Sequence, residues 1–443
     1  MRRVAVIGSG IAGLSAAWQL SDPAGAVPRC AVTLFEAADY LGGHTHTVDV
    51  TLPGPDGRPH TQGVDTGFLV FNHRTYPQLV RLFAALQVHT SPSDMSFSVQ
   101  AEQGALEWSG SSLDTVFAQR RNLLRPRFLG MLAELLRFNR RTTALARHGS
   151  EAQLAQSIGD FLDAEGYSET FRRWYFLPMI GCIWSCPTAQ MLQFPVATLI
   201  RFCHNHGLLQ VSDRPQWHTV TGGARHYVER MRTRLGDVRL RTPVHALRRL
   251  PGGGAVVQAA DGETRFDAVI VASHADQTLG LLGAQASAQE RALLGAIRYH
   301  PNRAVLHTDA TQLPRRQRAW AAWNYEHAGD DGAERAGVCL HYLLNRLQPM
   351  PWPQPVIVSL NPVRPIRPAC VLGEFDYSHP IFDLAAIAAQ RRLASIQGAG
   401  DVWYAGAWTG YGFHEDGLSS GLAAAQALQA RWSAGATDAR AAA

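Results

Sequence analysis

Residues 1–20 read MRRVAVIGSGIAGLSAAWQL, and two incompatible structures suit them. Two arginines before an apolar run, with small residues soon after, have the form of an export signal, whereas the glycine spacing has the form of a phosphate cradle. Val4-Ala5-Val6-Ile7 is a short buried-strand run, Gly8-Ser9-Gly10-Ile11-Ala12-Gly13 follows, and Leu14 to Leu20 is helical in character. Strand, turn and helix come in the order that dinucleotide binding requires. Gly8 permits the tight turn, Gly10 leaves bare backbone for a pyrophosphate, and Gly13 lets helix pack on strand, with Ile11 and Ala12 at the helix end that faces the anion.

GxGxxG alone is a weak signal, so the following residues decide. Beyond a Pro/Gly loop from Asp22 to Pro28, Ala31-Val32-Thr33-Leu34-Phe35 reads as a second parallel strand ending at Glu36. A carboxylate there accepts the adenosine ribose hydroxyls and suits a ribose without a 2′-phosphate. Signal cleavage would fall inside this βαβ unit and destroy it, so the cradle is the expected structure.

The chain has 443 residues, 46% hydrophobic and 17% charged, which describes an ordered protein of two or three domains. The net charge is +5, but the 41 basic residues are all arginine and lie scattered along the chain, so nucleic-acid binding is not expected. Six cysteines form no CxxC pair and fit reduced thiols in a cytoplasmic protein. No run of 18 apolar residues occurs, so no spanning helix is expected.

After Glu36 comes Ala37-Ala38-Asp39-Tyr40-Leu41-Gly42-Gly43-His44-Thr45. With this E…GG element the chain resembles the flavin amine oxidoreductase superfamily, the group of amine oxidases, protoporphyrinogen oxidase and phytoene desaturases. The resemblance implies FAD, with Gly42, Gly43, His44 and Thr45 against it; His44 stands where the family commonly has arginine, for a weaker or neutral phosphate contact. It extends to Thr219-Val220-Thr221-Gly222-Gly223-Ala224 and the returning segment to Ala272, where Val244 meets the adenine through its backbone, and to Val64–Phe71, where Asp65 and Gly67 approach the isoalloxazine. At the C-terminal end it implies Gly406 near the ribityl and pyrophosphate, and a helix beginning near Gly417 and Leu418 that aims backbone N–H groups at the flavin N1/O2 edge.

The fold class expected is α/β: a discontinuous Rossmann-like FAD-binding domain (1–75, 215–275 and 395–443) with an inserted α+β substrate domain (76–214 and 276–394) that includes a helical region near 113–205. Turns at Gly252-Gly253-Gly254 and Asp261-Gly262 mark a small antiparallel insert. Within 113–170, an amphipathic helix beginning at Pro126 carries many arginines. A packed helix with a solvated charged face is the favoured reading, and peripheral contact with the inner face of a membrane is the alternative.

His204-Asn205-His206 lacks a third ligand at useful spacing, so no metal is expected. Cys182 and Cys186, one helical turn apart, read as buried inert thiols. Phe68, Trp184, Trp408, Tyr411 and Phe413 are candidates for the wall of a hydrophobic substrate chamber. His414 and Glu415 are the candidate proton acceptors. Amine oxidases of the superfamily commonly hold a water near flavin N5 with a lysine, and this chain has none.

The strings GGHTHTVDV, VDTGFLVFN, SDMSFSV, NHGLLQVSDRPQW and GAIRYHPNRAVLHTD resemble a bacterial branch of FAD-dependent oxidoreductases associated with cyclopropane-fatty-acyl synthase-like methyltransferases. Some members are similar to dehydrogenases of methyl-branched acyl chains in furan fatty acid formation. The resemblance implies fatty acid metabolism, a lipid or other hydrophobic small-molecule substrate, desaturation by hydride removal, and a methyltransferase in the same pathway. The alternatives are a flavin oxidase of a small amine and a non-redox lipid escort of the kind the GDP-dissociation inhibitors illustrate.

Overall fold

A computed structural model of the chain describes residues 1–22, 30–210, 214–327 and 338–441, without the side chains of 151–152 and 435–441. The Pro/Gly loop expected from Asp22 to Pro28 falls, after Asp22, outside the described residues.

Five parallel strands form one sheet in the order Asp237–Arg239, Cys30–Phe35, Arg2–Ile7, Ala268–Val271, Val402–Tyr404. Val4 to Ile7 and Ala268–Val271 at its centre are apolar and buried because both faces are covered. Val4 and Val6 join one core with the helix Ile11–Leu20, while Ala5 and Ile7 join a second core beneath the antiparallel meander Val244–Arg249, Ala255–Ala259, Gly262–Phe266. The C-terminal helix His414–Ala441 lies on the first helix so closely that a Cβ at Gly421 would sit 2.0 Å from the Ala12 carbonyl oxygen. Ser15 Oγ donates to Leu418 O at 3.2 Å across the same contact.

A second sheet has seven strands: Val371–Ile381, Arg298–His307, Ile357–Leu360, Cys339–Leu343, Trp323–Glu326, Phe97–Ala101, Leu106–Ser109. Neighbours are antiparallel except Trp323–Glu326 beside Phe97–Ala101, where two distant parts of the chain meet in parallel. Strand alternation gives the sheet two characters. Trp323, Tyr342 and Leu360 face a cavity, while Ser98, Asn324, His341 and Ser359 form a buried polar row on the other side. Ser98 Oγ donates to Asn324 Oδ1 at 2.7 Å, and Ser359 Oγ lies 2.7 Å from both His341 Nδ1 and His307 Nε2.

The region 113–205 is helical, with its longest helix at Pro126–His148 and a proline in the first turn. Phe128, Met131, Phe138 and Leu145 form its buried stripe. Its outer face carries exposed Arg127, Arg137 and Arg140, with Leu129 and Leu136 exposed among them. The helix Leu177–Trp184 ends at Ser185, whose φ of +49° is left-handed, so Cys186 leaves the helix and the one-turn spacing with Cys182 does not hold. Both thiols are buried, which pushes Cys186 up to about 12.

Candidate active site

A cavity of about 830 Å³ lies between the two sheets. One end is the glycine turn at the C-terminal edge of the parallel sheet, where doubly wound folds bind ligands. Gly8 takes φ +98° there, and a Cβ on it would stand 2.8 Å from Ala272 O. Gly10 has nothing within 4 Å of a built Cβ, leaving open space at the start of the helix, and Gly43 brings its backbone against Gly10. Glu36 reaches the same place: one oxygen accepts from Ser9 N at 3.0 Å and from the Ser9 hydroxyl, the other from Ala38 N at 2.8 Å. Bare backbone, a helix N-terminus and one carboxylate at the tip of the second strand fit the pyrophosphate and ribose of FAD.

Of the expected cofactor residues, Gly8, Gly10, Ile11, Ala12, Glu36, Gly42, Gly43, His44, Gly67, Val244 and Gly406 line the cavity. Gly13, Thr45, Gly417 and Leu418 stand behind its wall. A Cβ on Gly13 would lie 1.8 Å from Gly8 O, so this glycine closes helix on turn. Thr45 is buried, with its hydroxyl on Tyr227. The C-terminal helix starts at His414, earlier than expected, and Gly417 N already donates to Phe413 O at 3.1 Å. Gly417 therefore packs against Ile11 and Ala407 and does not present its N–H to the cavity.

Asp65 ends the strand Pro59–Asp65 and stands behind the cavity wall, while Gly67 lines it. It is buried and accepts from Ala224 N at 2.9 Å, from Gln348 Nε2 at 2.7 Å and from the Thr47 hydroxyl. Burial pushes its carboxyl up to about 7. Its position ties the helix Arg225–Arg232 to the segment before the strand Ile357–Leu360.

Phe68, Trp184, Trp408 and Phe413 line the cavity, and Tyr411 does not. The Tyr411 ring packs outside, 6.3 Å from Phe202. His414 lies in the wall with its imidazole stacked on Phe68 at 3.8 Å and Nε2 at 2.7 Å from Tyr227 Oη. Burial lowers its pKa to about 3, which keeps it neutral. Glu415 points elsewhere: its oxygens accept from Gln78 N at 2.8 Å and Leu79 N at 3.0 Å, at the start of the helix Pro77–Ala85. It is a helix cap, which corrects its assignment as a proton acceptor.

Sequence reasoning missed a second group of imidazoles. His274 and His379 line the cavity with His44, at ring separations of 6.1 and 5.5 Å from it, and His274 stacks on Tyr299 at 4.4 Å. Burial, then mutual repulsion, lowers His44 to about 3 and His379 to about 4. Asn302 Nδ2 lies 2.9 Å from His379 Nδ1, while Asn302 Oδ1 accepts from Asn361. The amide is thereby oriented to donate, and neutral His379 carries its proton on Nε2. His44 Nε2 is buried without a partner among the described residues, a polar atom suited to meeting the cofactor.

His206 of the HxH pair stacks its ring on Phe202 at 4.0 Å, and its Nδ1 bonds Phe202 O at 2.9 Å. Among the described residues, Glu326, Cys339 and His341 bring potential ligand atoms together. Arg364 already holds both Glu326 oxygens, and both His341 nitrogens are hydrogen-bonded. The group is a self-satisfied ion-pair brace on the sheet face remote from the cavity.

A Rossmann-type nucleotide site that opens into an aromatic chamber defines a flavoprotein oxidoreductase. The sequence matches the family of flavin containing amine oxidoreductases over residues 11–301, and the chain belongs to that family. It is an FAD-dependent oxidoreductase of that family. The fold is shared with a fatty acid isomerase from P. acnes that produces conjugated linoleic acid (15% identity, TM-score 0.67, 95% of this chain and 97% of that one). It is also shared with cyclohexylamine oxidase from Brevibacterium oxydans (16%, 0.67, 97% and 99%) and a candidate protoporphyrinogen oxidase from Exiguobacterium sp. (15%, 0.65, 97% and 99%). No curated protein matches the sequence.

Proposed function

We propose that the protein is a dehydrogenase that desaturates a hydrophobic chain, with a methyl-branched fatty acyl chain as the substrate class. The observation that carries this reading is the chamber wall. Beyond the nucleotide end it is built from Met95, Ile183, Trp184, Phe202, Leu208, Trp217, Trp323, Tyr342 and Leu360, and among the described residues Glu36 is the one carboxylate that lines the cavity. An alkyl chain is stabilised there by burial alone, at about 0.8 kcal/mol per methylene. An ammonium substrate would find no carboxylate at the aromatic end. The fatty acid isomerase named above supports a lipid reading of the same fold.

FAD, when bound, supplies the hydride acceptor. The chain's own residues hold the acyl chain against the wall, exclude water and receive the second hydrogen as a proton, so that a carbon–carbon double bond replaces two C–H bonds. His414 is assigned that proton. With Tyr227 accepting from Nε2–H and donating to Thr45, the Nδ1 lone pair stays free. The burial that lowers its pKa keeps the ring neutral at neutral pH and disfavours its charged form, so it holds the proton only in passing.

Anaerobic titration tests the proposal. A methyl-branched acyl lipid should bleach the yellow protein and yield a product lighter by two hydrogens. Bleaching by amines and not by lipids would make it an amine oxidase, and a colourless protein that binds lipid would make it an escort.

A further inference from the structure

We propose that the outer face of the helix Pro126–His148, with the turn before it, docks the protein on an anionic lipid bilayer. Among the described residues, five of the nine exposed large hydrophobic side chains fall between Leu113 and Leu136. Leu129 and Leu136 are 42% and 50% exposed, and with exposed Ala133 between them they follow helical spacing along one side. Just upstream, Leu113, Leu123 and Leu124 are 79%, 49% and 87% exposed. Single exposed leucines are ordinary. A row of them on a helix whose other stripe is already buried in the core is the pattern of an interfacial helix. No helix among the described residues is long and apolar enough to cross a membrane.

Charge identifies the occupant. Arg121, Arg125, Arg127 and Arg140 lie in the same segment without a carboxylate partner among the described residues. Arg121 donates to Ala105 O, Arg125 to Asn122 Oδ1, and Arg140 to Leu136 O, while Arg127 lies over Trp174. Among the acids nearby, Asp114 pairs with Arg120 and Arg318, Glu134 accepts from Ser168 and Glu165 pairs with Arg141, while Glu102 and Glu169 line a pocket with Arg127. Leucines among uncompensated guanidinium groups match acyl chains beneath phosphate headgroups. A second copy docking face to face would set these arginines against one another. The proposal stands on this surface and does not depend on the substrate assigned above.

Flotation of the FAD-loaded protein with vesicles tests it. Vesicles of equimolar phosphatidylcholine and phosphatidylglycerol should capture the protein, with capture at least ~10-fold weaker on phosphatidylcholine alone. Leu124→Ser with Leu129→Ser should weaken capture by ~10-fold or more, and Arg121→Gln with Arg140→Gln by about 10-fold. Unchanged flavin absorbance and thermal unfolding would show both variants folded. Capture by neither vesicle, equal capture by both, or variants that bind as the parent does would overturn the proposal. So would a dimer in sedimentation that the leucine changes dissolve while vesicles capture nothing.

Discussion

Two glycines of one turn respond differently to a methyl group. At Gly13 a Cβ meets Gly8 O at 1.8 Å and Ala272 Cβ at 3.2 Å, so Gly13→Ala forces backbone apart and should cost about 3 kcal/mol. At Gly10 nothing lies within 4 Å and φ is −60°; Gly10→Ala should fold like the parent and lose flavin, because the methyl fills the cradle. Thermal unfolding beside the flavin-to-protein ratio separates the two, and equal destabilisation would contradict the cradle. His414 makes a different demand. Its ring stacks on Phe68 and bonds Tyr227, so His414→Phe preserves an aromatic stack and deletes the proton acceptor. Turnover should fall by roughly 10²-fold or more with flavin content retained, and an unchanged rate would remove His414 from the chemistry.

Neighbours in sequence separate on a helix. His414 and Glu415 differ by about 100° around the axis, so one reaches the chamber and the other reaches across to cap Pro77–Ala85. Glu415→Ala should therefore lower stability by about 1 to 2 kcal/mol while kcat for the remaining folded enzyme is kept; a fall in kcat with unchanged Tm would restore a chemical role. The same geometry explains what was legible. The turn at Gly8–Gly13, the acid Glu36, the meander after Val244 and the start of the helix at Pro126 are local signals, each complete within a few residues. The start of the C-terminal helix was misread because glycine was taken as its opening, whereas Asp416 Oδ2 accepts from Phe413 N and begins the helix earlier. His274, His379 and Asn302 gave no signal, because strands and turns far apart in sequence bring them together, and spacing carries no trace of that convergence.

Over the whole molecule, folding buries five neutral imidazoles among the described residues whose pKa falls to about 4 or below, three of them, His44, His379 and His414, on the chamber wall. His44 and His414 are lowered to about 3, and His206, His307 and His379 to about 4, each chiefly by burial. Unfolding returns them to the ordinary value near 6.5. Near pH 5 the unfolded chain thus binds five protons that the native state refuses. Asp65, raised to about 7, and Asp416, raised to about 6, work in the opposite sense, since each holds a proton that its unfolded form has released. The difference is five minus two, three protons taken up on unfolding. His341, raised to about 9 beside Cys339 and Glu326, is protonated in both states below 6.5 and drops out of this window; its contribution is lost only as pH rises through 9. Stability should therefore decline as pH falls from about 6.5 toward 4, by about 4 kcal/mol per pH unit at three protons, and burial lowers His46, His218, His274 and His300 in the same sense. Thermal unfolding of the FAD-loaded protein between pH 7 and pH 5 reads this directly. A Tm that stays level or rises on acidification would mean that these imidazoles titrate as exposed groups, and that water reaches them, on the chamber wall and behind it, freely enough to undo the burial that keeps them neutral.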